Sequence, residues 1–100
     1  MNEVPRYYVR EFLNLPGHNA GAYVLAEVVE EITEDNRRYT SATLDIADCN
    51  RKVSLDLSTH PQERESTFHK LDLLIETLQG VKRSLVEILA EDEWHRDHPA

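Results

Sequence analysis

The sequence predicts an α+β fold in which a four-stranded antiparallel β-meander is followed by one long C-terminal helix packed on one sheet face. Apolar residues alternate with a period of two in four segments before residue 59, and short turn-rich segments separate them. After residue 60 the period changes to about three and a half. We therefore expect a single α+β domain over residues 1–100, with the sheet in 5–58, the helix in 60–94 and a frayed tail in 95–100.

The first two strands are predicted on either side of the turn-rich segment PGHNAG, residues 16–21. The segment before it, RYYVREFLNL in residues 6–15, mixes aromatic, β-branched and charged residues with a period close to two. The segment after it, AYVLAEVVEEI in residues 22–32, contains alanines and glutamates that suit a helix. Its β-branched content and its position between two turns favour a strand instead.

The third and fourth strands show the clearest alternation in the chain. The polar segment TEDNR, residues 33–37, suits a hairpin because Asp and Asn tolerate left-handed backbone conformations. After it, RYTSATLDIA in residues 38–47 places apolar and polar side chains on opposite faces. The short connection DCNR then leads to KVSLDLS in residues 52–58, which alternates in the same way.

A long amphipathic helix is predicted after the sheet. Thr59 followed by Gln62 fits a capping box, and Pro61 is tolerated in a first helical turn. Gly80 costs about 1 kcal/mol relative to alanine and is typical of a bend or of a close contact with another backbone. One apolar stripe runs along the helix and consists of Leu71, Leu74, Leu78, Val81, Leu85 and Ile88.

Alternation assigns each strand residue to one of two sheet faces. The face that the helix is expected to cover carries Val9, Leu13, Leu15, Val24, Ala26, Val28, Ala42, Leu44, Ile46, Val53, Leu55 and Leu57. On the opposite face, the first two strands present apolar side chains that we call the aromatic patch: Tyr8, Phe12, Tyr23, Leu25 and Val29. The alternative is a register error of one residue in either strand, which would exchange the faces.

The predicted helix is longer than the sheet that it would cover. From Pro61 to Trp94 it would extend about 50 Å, whereas a ten-residue strand extends about 33 Å. The stripe makes nearly three heptads, the pattern of a helix that packs against another helix, although packing on a sheet requires the same stripe. We therefore treat the six stripe residues as a candidate helix interface between protomers.

Charge and cysteine content limit the functional classes. Eleven basic and 19 acidic residues produce a formal net charge of −8, which repels nucleic acid and anionic lipid and suits either a basic protein partner or solubility alone. Cys49 is the only cysteine, so a disulfide scaffold is excluded. We expect a cytoplasmic protein with no membrane association, since no apolar stretch would span a bilayer and the first residues do not resemble a signal peptide.

The sequence contains no motif of a catalytic site. Absent are a glycine-rich phosphate loop, a G-x-S-x-G elbow, an H-E-x-x-H motif and a C-x-x-C pair. We therefore predict a protein that is not an enzyme and that holds no cofactor and no metal. His95 and His98 have the spacing of two helical metal ligands, but the adjacent Pro99 favours a solvated tail. Cys49 is followed closely by basic residues, so a reactive thiol stays an alternative to a passive one.

These observations favour a small, acidic, non-catalytic interaction protein that acts as a homodimer or higher oligomer. The aromatic patch and the helix interface would join copies of the chain, and the acidic exterior would meet a protein partner. One version is an inhibitor of a basic or nucleic-acid-handling partner, which would offer carboxylates in place of phosphates. The acidic positions that suit this version are Glu76, Glu87, Glu91, Asp92 and Glu93.

Two other functional classes stay open. In the order of its predicted elements the chain resembles the PC4-like and Whirly-like single-stranded nucleic-acid-binding proteins, whose sheets carry aromatic and basic residues. Arg6, Tyr8, Arg10 and Tyr23 would interleave such residues on one face, although the net charge disfavours this class. The other class is a small-ligand binder that uses the loop of residues 16–21 and the start of the helix. The candidate ligand residues are His18, Asn19 and His60.

Overall fold

The computed structural model describes residues 2–17, 21–48 and 50–98. The chain divides into two compact units, Met1–Arg64 with the sheet and Glu65–Ala100 with the helix. The predicted fold class, four antiparallel strands in one sheet followed by a long C-terminal helix, is confirmed. The packing of the helix on the sheet stays a prediction. The elements are β1 (Asn2–Phe12), β2 (Tyr23–Ile32), β3 (Arg38–Asp48), β4 (Arg51–Asp56) and α1 (Arg64–Asp97).

The sheet is an up-and-down meander in which the strands follow the order β1-β2-β3-β4. β2 pairs with β3 over its whole length, from Tyr23 opposite Ala47 to Ile32 opposite Arg38. The shorter β4 pairs only with the second half of β3. Because residues directly opposite one another in an antiparallel pair lie on the same face, these registers assign nearly every strand residue to a face.

β1 is an edge strand, and it lies earlier in the chain than the predicted segment 6–15. Pro5 is opposite Val29, and an edge strand accommodates proline because one side of its backbone has no neighbouring strand. A β-bulge between Pro5 and Tyr7 removes Arg6 from the register. Val4 is therefore on the same face as Tyr7, and the simple alternation of β1 is shifted by one residue across the bulge.

The hairpin between β2 and β3 closes through residues 33–37. Thr33 N donates to Arg37 O at 2.9 Å, and Asn36 N donates to Thr33 O at 3.0 Å. Thr33 Oγ1 accepts a further hydrogen bond from Arg37 N at 3.1 Å. Asn36 has a φ of +62°, in the left-handed region, which agrees with the turn predicted for TEDNR.

The helix begins at Arg64, four residues later than expected. Thr59 Oγ1 donates to Thr40 O on β3. The predicted capping box is wrong because the helix begins five residues after Thr59 and Gln62 N donates to His60 Nδ1 instead. Arg64 Nε donates to Thr59 O at 2.8 Å. A turn in which Glu63 N donates to His60 O at 2.8 Å separates Thr59 from the first helical residue.

Helix α1 continues to Asp97, so residues 95–97, expected in a frayed tail, are helical. Gly80 lies inside it, and a Cβ added there would meet no atom within 4 Å. Within the described residues, no close backbone contact accounts for a glycine at this position. Its effect on the helix is therefore the entropic cost that any internal glycine carries.

Few apolar side chains are buried. Among the described residues the buried ones are Ala22, Val29, Ala47 and Leu57, and no large side chain is fully buried. The inner strand β2 is mostly half-buried, whereas β1 and β4 are mostly exposed and α1 has no buried residue. Burial of apolar surface contributes about 25 cal/mol per Å² to stability. The apolar surface that is exposed in the single copy therefore contributes little to its stability.

Replacing Asn36 with alanine should lower the free energy of unfolding by about 1 kcal/mol, because alanine adopts left-handed backbone conformations less readily than asparagine. We expect the urea midpoint to fall with an unchanged m-value. The matched control is Asn36→Gly, since glycine adopts this φ without a steric penalty. An equal loss in both variants would contradict the backbone explanation.

Replacing Gly80 with alanine should stabilise α1 by about 1 kcal/mol, because alanine loses less backbone entropy and its methyl group meets open space. Circular dichroism at 222 nm during thermal unfolding measures the change as a higher melting temperature. The control is Ser84→Ala, one turn later, where propensity alone predicts a smaller gain. A less stable Gly80→Ala protein would show that the glycine accommodates a neighbour in solution.

Candidate interaction surface

The registers place apolar residues from all four strands on one sheet face, which we call face one. Its central row runs from Val9 through Ala26 and Leu44 to Leu55. Val24, Val28, Ala42, Ile46 and Val53 lie in the neighbouring rows of this face, as the alternation predicted. Leu13, Leu15 and Leu57 were predicted with them but lie outside the strands.

The aromatic patch lies on the opposite face, which we call face two. Phe12 is directly opposite Tyr23, and Leu25 is opposite Arg10 in the next row. Tyr8 lies in the row after that. Four of the five predicted members therefore occupy three consecutive rows at one end of the sheet.

Val29, the fifth member, is further from the aromatic residues. It lies opposite Pro5 and Ser41, six residues along β2 from Tyr23, which is about 20 Å in an extended strand. Its side chain is buried, with 8% exposed, whereas Tyr8 is 59% and Phe12 is 68% exposed. Val29 thus shares the face of the patch but contributes little accessible surface to it.

The exposed end of the patch is concave and has a charged rim. Arg10, Glu11, Phe12 and Tyr23 line a cavity of about 350 Å³. Asp45 lies directly opposite Leu25, and its Oδ2 is 3.5 Å from Lys52 Nζ on β4. An apolar centre with charged residues around it is the usual composition of a protein–protein interface.

Face one carries an ionic cluster that sequence reasoning missed. Glu30 on β2 accepts a hydrogen bond from Arg6 Nε at 2.8 Å and forms a second ion pair with Arg38 Nη1 at 3.1 Å. The hydrogen bond from Arg6, helped by the charges of Arg6 and Arg38, lowers the pKa of Glu30, although desolvation acts in the opposite direction. The cluster links β1, β2 and β3. In the sequence, the cluster is visible only as opposite charges on three separate strands. The strand register is what brings these charges together.

This cluster corrects one part of the nucleic-acid hypothesis. Tyr8, Arg10 and Tyr23 share face two, but Arg6 does not, because the bulge removes it from the alternation and its guanidinium binds Glu30. Arg6 Nη2 lies 2.7 Å from Glu30 Oε2. The predicted row of alternating basic and aromatic side chains therefore contains one arginine rather than two.

The candidate helix interface lies on the second unit, which is described here by itself. Its six residues follow one another at steps of three and four along α1. Leu71 and Leu74 are half-buried, whereas Leu78 is 63% and Ile88 is 55% exposed. Val81 and Leu85 are exposed to a similar degree. The five acidic positions named for the inhibitor hypothesis are all exposed as well.

The candidate ligand loop is described only in part. His18 and Asn19 lie outside the described residues, as does Cys49. His60 is exposed, and its Nδ1 accepts a hydrogen bond from Gln62 N at 3.3 Å. This hydrogen bond holds the imidazole of His60 close to the backbone of the turn that precedes the helix.

The two C-terminal histidines contact a tryptophan. His98 stacks on Trp94 with ring centroids 4.3 Å apart, and His95 meets the same indole edge-on at 5.3 Å. His98 Nδ1 also lies 2.8 Å from Trp94 O. Among residues 2–17, 21–48 and 50–98, no three His, Cys, Asp or Glu side chains are grouped so that they would hold a metal ion.

Comparisons with protein families, with characterised proteins and with solved structures find no match for this chain. In the described part of the chain, α1 lacks the hydropathy that a helix needs to cross a bilayer.

Replacing Glu30 with glutamine should lower the free energy of unfolding at pH 7. The free energy of unfolding of this variant should also decrease less than that of the wild type as the pH is lowered. Since the pKa of Glu30 is lowered in the folded protein, its contribution is complete above the ordinary carboxyl value of 4.5 and disappears as the pH falls through the lowered pKa. Urea unfolding between pH 3 and pH 7 measures the difference. Glu31→Gln, on the other face, is the control for loss of one charge. A constant difference between wild type and Glu30→Gln at all pH values would contradict the assignment.

Proposed function

We propose that this chain is a non-catalytic protein-interaction module that assembles with copies of itself through the aromatic patch. The observation that carries this proposal is the accessibility of Tyr8 and Phe12, two rows apart on face two, next to half-buried Tyr23 and Leu25. Aromatic side chains contribute much of the free energy of protein–protein interfaces, because they bury a large area and lose little conformational entropy.

A self-complementary contact fits the arrangement of the patch. In a two-fold symmetric pair the same surface contacts itself, so each copy supplies both the aromatic side chains and the cavity between Arg10 and Tyr23. The ring of Phe12, which borders that cavity, is the side chain best positioned to contact the partner's cavity.

The charge of the chain supports protein rather than nucleic acid as the partner. The formal net charge is −8, and Arg6, one of the two arginines that would have contacted phosphate, is paired with Glu30. A phosphate backbone would meet repulsion from most of the molecule. The acidic positions of α1, such as Glu76 and Glu87, suit a second, basic protein partner. A reducing compartment such as the cytoplasm suits a chain with a single cysteine.

The double variant Tyr8→Ser, Phe12→Ser tests the proposal. The chain has a mass of 11.6 kDa, and light scattering over a concentration series should show a multiple of this mass for the wild type. Loss of two aromatic contacts from each copy should weaken association on the order of a hundredfold, so the folded variant should show a lower mass. Circular dichroism checks that the sheet is intact.

Tyr39→Ser is the matched control. Tyr39 is on face two and is 53% exposed, but it lies opposite Glu31, about 27 Å along β3 from the partner of Tyr23. We expect this variant to keep the wild-type mass. A monomeric wild type, or a mass unchanged by the double variant, would overturn the proposal. Binding of a single-stranded oligonucleotide that the double variant loses would favour the nucleic-acid class instead.

A further inference from the structure

The exposed stripe of α1 makes a heptad pattern. With Leu71, Leu78 and Leu85 at the a positions, the d positions are Leu74, Val81 and Ile88. None of these six side chains is buried in the single copy. The stripe therefore has the composition of a coiled-coil seam without a partner helix.

From this pattern we infer that α1 pairs with α1 of a second copy in an antiparallel coiled coil centred between Gln79 and Gly80. This inference rests on the proposed self-assembly and adds a second surface to it. In an antiparallel pair each a residue faces a d residue of the other helix. Leu71 then faces Ile88 of the second copy, Leu74 faces Leu85, and Leu78 faces Val81. The two-fold axis repeats each of these three pairs, so six consecutive core layers are apolar.

Each orientation places one attractive pair beside the seam, and the layer of Asp92 distinguishes the two orientations. In the antiparallel register the g position Lys70 faces the g position Glu91 of the second copy, and symmetry repeats this attractive pair. The next layers bring Asp92 opposite Thr67. In a parallel, in-register pair, Asp92, which occupies the next a position, would instead face Asp92 of the second copy, with two carboxylates in one layer.

The types of core residue also disfavour a parallel dimer. Parallel dimers prefer β-branched residues at a and leucine at d, whereas this chain has leucine at every apolar a position. Its β-branched residues, Val81 and Ile88, are at d. An antiparallel pair mixes both types in its layers, because Leu71 faces Ile88 and Leu78 faces Val81.

The aromatic patch and the helix seam are two separate self-complementary surfaces, one on each unit of the chain. Loss of either surface leaves a dimer held by the other one. The two surfaces can therefore be tested separately by mass.

Cysteine cross-linking tests the pairing directly. In a Cys49→Ser background, Leu74→Cys and Leu85→Cys proteins are oxidised alone and as a mixture. The mixture should form a disulfide between tryptic peptides 71–82 and 84–96, while each protein alone should stay largely unlinked, because identical positions in an antiparallel pair lie about 16 Å apart. Disulfides within each single variant, and none between the two, would show a parallel pair and overturn the inference.

A charge exchange provides an independent readout. Glu91→Lys should weaken association about tenfold, because it places a lysine opposite Lys70 in both symmetric pairs. Adding Lys70→Glu should restore the wild-type affinity, since the double exchange restores two attractive pairs. In a parallel pair Glu91 would lie near Arg96 instead, and Lys70→Glu would not rescue it. Failure of the rescue therefore contradicts the antiparallel register.

Mass measurements distinguish failure of this inference from failure of the proposed function. Leu78→Ser with Val81→Ser should lower the wild-type mass, and so should Tyr8→Ser with Phe12→Ser, while the combined variant should be monomeric. The control for the seam is Leu73→Ser with Val86→Ser, which are equally exposed but lie outside the a and d positions. If the seam variant keeps the wild-type mass, the coiled-coil inference is wrong and the proposed function is unaffected. If the patch variant keeps the wild-type mass, the proposed function is wrong and the coiled-coil inference is unaffected.

Discussion

The register of β2 against its two neighbours is the constraint on which the rest of the sheet depends. Side chains alternate between faces with a period of two, so a shift of one residue in either pairing would exchange every side chain of a strand between the faces. The observed pairings keep Val9, Ala26, Leu44 and Leu55 in one row and leave the aromatic residues together on the other face. One register thus decides both the apolar face and the candidate interaction surface.

The bulge at Arg6 shows how a local irregularity changes what a surface can bind. Without it, the alternation of β1 would carry Arg6 to the face of Tyr8 and Arg10. With it, the guanidinium reaches Glu30 and joins three strands through one carboxylate. A side chain that sequence reasoning assigned to a phosphate contact therefore stabilises the sheet. The same displacement leaves Arg10 as the one arginine among the aromatic residues of β1 on face two.

Among the described residues, many large apolar side chains are exposed in the single copy. Face one, the aromatic patch and the stripe of α1 all carry large side chains that are half-buried or exposed. Their exposed part contributes to stability only when another surface covers it. The proposed self-association would provide such a surface, because two-fold symmetry makes each patch its own complement.

The sequence by itself determined the element order, the strand faces and the helical stripe, because these depend on the period of apolar residues and on local turn chemistry. Asn36 in its left-handed turn and the row through Ala26 and Leu44 are examples. Only the tertiary structure decided the ion pairs of Glu30 and the start of the helix. Both depend on contacts between residues far apart in the chain, such as Arg6 with Glu30 and Thr59 with Thr40, which no local pattern records.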